Sequence, residues 1–254
     1  MISLFSPAKI NRFLEVVGKR PDGYHEILTK MQTISLFDEL RMEIGSQTEL
    51  VCTDPTIPSD EGNLVLQAHR IFEKKLGRNC PVRYFLDKKI PSQAGLGGGS
   101  SNGATTLWGL NELFGNPFSL EQLKDMGAAA GSDVPFFFSS GLAICSGRGE
   151  RVLDLPLEAS EKVTLVKSGV NLSTKQVYQA FSPSSCANQL EPAAFAVAPE
   201  LAQLKQTLLD SGFSEVALTG SGSAFFCLGK GSVAPGLWSV EAATVVREPE
   251  IWYE

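Results

Sequence analysis

The chain has 254 residues, a length that predicts one or two domains and a core large enough to need no metal or disulfide for stability. Hydrophobic residues make up 43% of the chain and charged residues 20%, which argues against disorder. The net charge is −6, so a broad nucleic-acid-binding surface is excluded, while a few local cations could still hold an anionic small molecule.

The cysteines and the apolar segments indicate the compartment. The five cysteines are odd in number and widely spaced, with no Cys-x-x-Cys pair, which favours reduced thiols over a zinc site or disulfides. No apolar stretch approaches the ~20 residues that span a bilayer, and the first residues lack a signal-peptide pattern. We therefore expect a cytoplasmic protein with no membrane partner.

The first half of the chain alternates strands and helices. The opening 45 residues have the pattern of strands, with period-two alternation over Asp38–Ile44. A helix is predicted over Asn63–Leu76 with Gly77 as its stop, and a strand over Pro81–Ile90. A second helix follows a glycine run, and a third opens at Ser119, which has capping-box spacing to Gln122.

The second half has a different element order. Strands are predicted at 161–170 and on both sides of the glycines at 220 and 222, with a helix over 199–212 and a polar loop around Cys186. We expect an α+β protein with a first domain over 1–150 and a second over 151–254.

The strongest local signal is the glycine run that joins a predicted strand to a predicted helix. Four of the five residues 95–99 are glycine, and two serines follow. Free backbone amides and the positive end of the helix dipole bind anions, phosphates above all, at such a position. Ser100 and Ser101 could cap the helix or donate to phosphate. The alternative is a flexible connection that only begins a helix, and no Walker A or protein-kinase motif accompanies the run.

Two further motifs carry charge in apolar surroundings. Asp133 precedes the apolar segment 134–138, where a buried carboxylate needs a cation or a chemical role, although it could simply cap a turn. Lys9 stands in the otherwise uncharged segment 6–11, where the alternative is a lysine on the surface of an edge strand. A functional interpretation pairs the two side chains.

Two turn motifs remain. The turn at 20–26 presents Tyr24 and His25 together, which suits stacking on a heterocyclic base and reading its edge, or a plain hairpin turn. The segment Thr219–Ser223 is a glycine turn between strands that could close over phosphate. His69 lies in a helical stripe and is interpreted as structural.

In this order, the motifs resemble the GHMP kinase superfamily. The segments SPAKIN, RPDGYHE, AGLGGGSSNGA, GSDVPFF and LTGSG resemble most closely the members that phosphorylate the 2-hydroxyl of an alcohol linked to cytidine diphosphate (CDP), in the non-mevalonate route to isoprenoids. The resemblance implies a ribosomal-S5-like first domain that binds ATP and a ferredoxin-like second domain. It also implies a monomer or weak homodimer with a small-molecule substrate and no nucleic-acid partner.

The resemblance assigns roles to individual residues. Lys9 and Asp133 match the catalytic pair. Magnesium is expected to arrive with ATP, with Ser100 as the favoured contact, directly or through water, and no protein ligand assigned. Asn11, Tyr24, His25, Thr174 and Tyr178 match substrate-binding positions. The ATP-binding loop comprises Pro91, Ser92, Gln93, Ala94, Gly95, Leu96, Gly97, Gly98, Gly99, Ser100 and Ser101.

Some positions depart from the family pattern. Gln93 and Ala94 stand where glycine is common, and Gly103 replaces an alanine, but none of these changes removes a loop amide. The alternatives are another small-molecule kinase of the superfamily, such as a homoserine or mevalonate kinase, and a nucleotide-binding regulatory module without turnover. The motif at 20–26 argues against the first, and the presence of both Lys9 and Asp133 argues against the second.

Overall fold

The structure is a computed structural model that describes residues 1–248 and 250–253. The strands are β1 (Ile2–Lys19), β2 (His25–Ile44), β3 (Glu49–Cys52), β4 (Val82–Asp87), β5 (Leu142–Gly147), β6 (Arg151–Asp154), β7 (Lys162–Lys167), β8 (Phe213–Leu218), β9 (Ala224–Gly229) and β10 (Trp238–Ala243). The helices are α1 (Leu64–Leu76), α2 (Gly98–Leu113), α3 (Leu120–Ala130), α4 (Thr174–Gln179), α5 (Glu191–Val197) and α6 (Glu200–Asp210), with a 3-10 turn at Pro135–Phe138.

The first sheet is built on a long antiparallel hairpin. Strands β1 and β2 pair along almost their whole length, and β4 and β5 pair with different parts of β2. The order is β3-β4-β2-β5-β6, with β1 on β2. Apolar side chains of this sheet and of α1–α3 form one buried core, as expected when amphipathic helices cover a sheet face.

The helix boundaries on this sheet follow local sequence signals. Asn63, the first residue of the predicted helix, instead caps α1 by accepting from the Val65 amide, and Gly77 ends the helix in the left-handed conformation, as predicted. The predicted capping box of Ser119 and Gln122 is present at the start of α3. These caps fix where each of the two helices begins.

The second sheet has the order β10-β7-β9-β8, with every pair antiparallel. When the four strands are numbered 1 to 4 in chain order, their order in the sheet is 4-1-3-2, the arrangement expected for the ferredoxin-like domain. Helices α4–α6 lie between β7 and β8 in the chain and share a core with the sheet. Between β9 and β10, the described chain has a loop over 230–237 in place of a helix.

A third core joins the two sheets. It contains residues of β1 and β2, residues of β7, β9 and β10, and the apolar members of the glycine loop, Ala94 and Leu96. The predicted domain boundary at residue 150 falls between β5 and β6, which pair in the first sheet. The chain passes from the first sheet to the second between Asp154 and Lys162. Among the described residues, no helix is long and apolar enough to cross a membrane.

Candidate active site

The glycine loop joins the short segment after β4 to the N-terminus of α2. Gly97 precedes the helix in the left-handed conformation (φ 70°), and it has no side chain with which to cap the helix amides. The first amides of a helix lack intrahelical acceptors, so this end can bind an anion. The prediction that Ser100 and Ser101 cap α2 is wrong, because the helix begins at Gly98 and places both serines inside its first turn.

Buried neighbours hold the loop from behind. Ala94 and Leu96 are each 1% exposed in the core between the sheets. The Leu96 carbonyl accepts from the Lys9 amide at 2.9 Å, and the Ala94 carbonyl accepts from the Ala224 amide at 3.1 Å. The loop is therefore anchored to β1 and β9.

The loop residues differ in what they can offer a ligand. Ser101 is fully buried, and its hydroxyl has no hydrogen-bond partner among the described residues. Ala94, Leu96 and Gly98 are also buried. The exposed or half-exposed loop residues are Pro91, Ser92, Gln93, Gly95, Gly97, Gly99 and Ser100. Of the two serines in the first turn of α2, only Ser100 therefore has a hydroxyl that is accessible to solvent.

The second-domain turn Thr219–Ser223 packs directly on the glycine loop. A Cβ atom on Gly95 would lie 2.1 Å from the Thr219 carbonyl oxygen, a contact that only glycine permits. The Thr219 hydroxyl accepts from the Asn11 amide at 3.0 Å and lies 3.3 Å from the Gly95 carbonyl. The two glycine segments, 124 residues apart in sequence, thus form one wall.

Lys9 and Asp133 meet beside this wall. Lys9 is 3% exposed, so the alternative of a surface lysine is wrong. Its Nζ atom lies 3.6 Å from Asp133 Oδ2 and donates to Asn11 Oδ1 at 2.6 Å. The Asp133 side chain is 30% exposed and can reach a ligand. Burial lowers the pKa of the Lys9 amine, and the Asp133 carboxylate opposes that shift.

Asn11 is fixed between the two domains. Its amide nitrogen Nδ2 donates to Thr29 Oγ1 at 2.9 Å, and its Oδ1 accepts from Lys9. A Cβ on Gly220 would lie 3.3 Å from Asn11 Oδ1 and 3.5 Å from Lys9 Nζ. The side chain therefore orients the lysine and has little freedom to turn away.

An aromatic cluster lies at the far end of the β1–β2 hairpin. The rings of His25 and Tyr178 stack, with centroids 4.9 Å apart and planes at 21°. Tyr24 is 56% exposed and lies under the guanidinium of Arg148, 5.2 Å from ring centroid to Cζ. His25, rather than Tyr24, thus faces Tyr178 in this structure. Burial raises the pKa of the Tyr178 phenol, and the nearby Asp133 carboxylate adds to the rise.

A pocket of about 440 Å³ opens between the glycine loop and the second domain. It is bordered by Gln93 and Gly95 on one side and by Thr174 and Ser221 on the other. The Thr174 and Ser221 hydroxyls lie 3.0 Å apart. The second domain therefore brings Thr174 to the wall formed by the two glycine segments.

Sequence reasoning missed a buried ion pair beneath the loop. Asp38 on β2 is fully buried and accepts from Lys88 Nζ, from the Lys89 and Ile90 amides at 2.7 and 2.8 Å, and from Asn102 Nδ2 at 3.0 Å. A carboxylate within an apolar strand was the available signal, but its partners lie 50 to 64 residues away. This pair ties the segment before the loop to the first turns of α2.

A second pocket, of about 420 Å³, adjoins the same segment. Lys88, Lys89 and Pro91 line it from the first domain, and Lys167 and Trp238 line it from the second. Asp54 also lines this pocket, and Lys88 and Lys89 are paired with Asp38 and Asp87, so the pocket contains charges of both signs.

His69 lies outside this site, as predicted. It is 2% exposed, its Nδ1 atom is 2.6 Å from the Tyr84 hydroxyl, and its Nε2 atom is 3.1 Å from Thr48 Oγ1. Potential metal-ligating atoms of His69, Glu73 and Cys80 lie within 4.8 Å of one another. The Cys80 amide also donates to Glu73 at 2.7 Å, so the cluster is internally hydrogen-bonded.

Two family models match the chain. The model described as the GHMP kinases N terminal domain matches residues 63–141, and the one described as GHMP kinases C terminal matches residues 177–236. The first match contains the glycine loop and Asp133, and the second contains the Thr219–Ser223 turn.

Relatives match over almost the whole chain. A 4-diphosphocytidyl-2-C-methyl-D-erythritol kinase of Protochlamydia amoebophila is 46% identical over 99% of this chain and 93% of that protein. A chloroplastic enzyme of the same name from Arabidopsis thaliana is 38% identical over 100% of this chain and 76% of that protein.

Solved structures of kinases also superpose on almost the whole chain. A crystal structure of 4-(cytidine 5'-diphospho)-2C-methyl-D-erythritol kinase superposes with a TM-score of 0.81 at 30% identity, covering 96% of this chain and 99% of that one. A homoserine kinase from Cytophaga hutchinsonii superposes with a TM-score of 0.74 at 17% identity, over 98% of this chain and 96% of that one, a likeness of fold alone.

Proposed function

Because this chain belongs to the GHMP kinases and, within them, to the 4-diphosphocytidyl-2-C-methyl-D-erythritol kinases, we propose that it phosphorylates the 2-hydroxyl of 4-diphosphocytidyl-2-C-methyl-D-erythritol with ATP. This is a step of the non-mevalonate route to isoprenoids. The observation that carries the proposal is the Lys9–Asp133 pair, 3.6 Å apart, beside a glycine loop at a helix N-terminus.

The donor triphosphate is placed on the glycine loop. Side chains at Gly95, Gly97 and Gly98 would meet neighbouring protein atoms within 3 Å, so the loop packs closely at these positions and carries no side chains there. Successive amides at the start of α2 and the helix dipole favour bound phosphate. The residues that would contact ATP through their main chain are those of the loop Pro91–Ser101.

Phosphoryl transfer needs positioning and charge stabilisation more than covalent chemistry. Asp133 accepts the proton of the substrate hydroxyl while the hydroxyl oxygen bonds to the γ-phosphorus. The bond from that phosphorus to the bridging oxygen breaks, and ADP leaves. Lys9, whose Nζ atom lies 3.6 Å from Asp133 Oδ2, orients that carboxylate and offsets the negative charge that gathers on the transferred group. Asn11 fixes the direction of the lysine by accepting from it at 2.6 Å.

Magnesium would enter with ATP. Hard oxygen donors suit Mg²⁺, which usually keeps several waters and few protein ligands. The site offers the half-exposed hydroxyl of Ser100 and the partly exposed carboxylate of Asp133, which fit such an ion. Bound magnesium supplies charge neutralisation to the phosphates. The chain's own contribution is the loop amides that orient them.

The cytidine end of the substrate is placed at the aromatic cluster. Tyr24 is exposed and available to a base, and Tyr178 presents a flat ring that His25 now covers. Stacking on an aromatic ring does not discriminate between heterocyclic bases. Specificity for cytosine would come from hydrogen bonds to the edge of the base, such as those of the His25 ring nitrogens. Thr174, whose hydroxyl lies 3.0 Å from that of Ser221, is the second-domain residue proposed to contact the substrate.

The direct test is an ADP-release assay with purified protein. We expect turnover with ATP and the CDP-linked alcohol, and none with homoserine or mevalonate. Asp133→Asn should lower kcat by ~10²–10⁴ with the fold intact, since a general base contributes that much. Near-normal turnover of this variant would reject the role of Asp133, and turnover of an unlinked alcohol alone would reject the proposed substrate. The matched control is Asp125→Asn, an exposed carboxylate on α3.

A further inference from the structure

One cation near the substrate cluster has no role in the proposed reaction. Arg148 lies in the turn between β5 and β6, and its guanidinium carbon is 5.2 Å from the centre of the Tyr24 ring. Such stacking of arginine on an aromatic face leaves the edge of the guanidinium free to donate hydrogen bonds. The side chain is 31% exposed, so a ligand can reach it.

The turn that carries Arg148 connects the two ends of the proposed substrate site. On one side, Gly147 pairs with Ile27, two residues after His25. On the other, a Cβ atom on Gly149 would lie 3.2 Å from Asp133 Oδ1. Arg148 therefore lies between the aromatic cluster and the reacting hydroxyl.

The proposed substrate carries negative charge between the two parts that bind at these ends. A CDP-linked alcohol carries a diphosphate between the cytidine and the alcohol. If the cytidine lies at Tyr24 and the acceptor hydroxyl at Asp133, the diphosphate passes between them. Arginine binds such groups well because its planar, permanently charged fork can donate two parallel hydrogen bonds to phosphate oxygens.

The guanidinium of Arg148 has donors to spare. Its ion pair with Glu150 is long, 3.9 Å from Nε to Oε2, and its side chain makes no hydrogen bond within the described part of the chain. Arg20, the other arginine of this corner, is held by Asp22 at 3.0 Å and Glu26 at 2.9 Å. Of these two arginines, Arg148 is therefore the one whose five guanidinium N–H donors are all available to an anion.

We propose that Arg148 is a substrate-binding residue that holds the diphosphate of the CDP-linked alcohol, in addition to packing on Tyr24. The inference rests on the proposed function for the identity of the substrate. It separates the recognition of the diphosphate, by this side chain, from that of the base, by the aromatic cluster.

Calorimetric titration with CDP and with cytidine tests the separation. Arg148→Gln should weaken CDP binding by about tenfold to a hundredfold, the effect of losing a hydrogen bond to a charged group, and cytidine binding by less than about twofold. Arg148→Lys keeps a charge and should lose less than Arg148→Gln. The control is Arg151→Gln, an exposed cation at the start of β6 in the same hairpin. Circular dichroism before titration confirms that each variant is folded.

Two results would overturn the inference. Equal losses for CDP and cytidine would mean that Arg148 only braces Tyr24, and unchanged CDP binding would mean that it does not touch the diphosphate. Kinetics add an independent readout, since Arg148→Gln should raise KM for the CDP-linked alcohol and leave KM for ATP unchanged. A wild-type protein that binds CDP but does not phosphorylate the CDP-linked alcohol would refute the proposed function and leave the role of Arg148 standing.

Discussion

Replacing Gly95 by alanine tests whether the contact between the two glycine segments builds the site. The added Cβ would lie 2.1 Å from the Thr219 carbonyl oxygen, a backbone atom that cannot rotate away. Gly95 also has a φ of 74°, where a side chain costs ~1–2 kcal/mol. Relief of the overlap needs the loop and the turn to separate, at ~1–3 kcal/mol. We therefore expect a loss of ~2–5 kcal/mol in the free energy of unfolding, from the sum of these two costs.

Gly77 provides the matched control. Its φ is 73°, and a Cβ there would meet no atom within 4 Å. Gly77→Ala should therefore lose only the ~1–2 kcal/mol of backbone strain. Urea unfolding of both variants isolates the overlap as their difference. Steady-state kinetics should show a lower kcat/KM for ATP in Gly95→Ala alone. Equal stability losses, or an unchanged kcat/KM in Gly95→Ala, would refute the argument that the turn holds the loop.

Two other predictions concern the ion pair under the loop and the aromatic cluster. Asp38→Asn leaves Lys88 buried without its counter-charge and should cost ~3–5 kcal/mol by urea unfolding, whereas Asp87→Asn breaks a surface pair and should cost ~0–1 kcal/mol. A similar loss for both would mean that Asp38 is solvated. Tyr178→Ala should raise KM for the CDP-linked alcohol by the equivalent of ~1–3 kcal/mol and leave KM for ATP unchanged, because stacking acts on the cytosine alone. Equal rises in the two KM values would place Tyr178 outside the cytidine site.

Local signals determined most of the elements. Helix α1 runs between the residues predicted to start and stop it, Asn63 and Gly77, because a cap and a left-handed glycine act within one turn of the chain. The capping box of α3 is equally local. The glycine loop was also found from its own residues, because four glycines in five positions before a predicted helix let the backbone come close to an anion at the helix N-terminus.

The start of α2 shows the limit of that reasoning. The serines after the glycine run were expected to cap the helix, but the helix starts at Gly98 within the run. Glycine disfavours a helix interior by roughly 1 kcal/mol, and here the tertiary setting overrides that preference. Ile90 lies so close to Gly98 that a Cβ there would come within 2.9 Å of its side chain, so position 98 has little room for a larger residue.

By itself, the sequence determined which residues carry charge in apolar surroundings and which segments bend, because burial cost and backbone freedom belong to each residue and its neighbours. Only the tertiary structure decided which of them meet: Lys9 with Asp133, Gly95 with Thr219, Asp38 with Lys88, and Arg148 with Tyr24. The physical reason is that these pairs are joined by strand pairing and by the core between the two sheets, which act across 50 to 124 residues of chain and leave no mark on local periodicity.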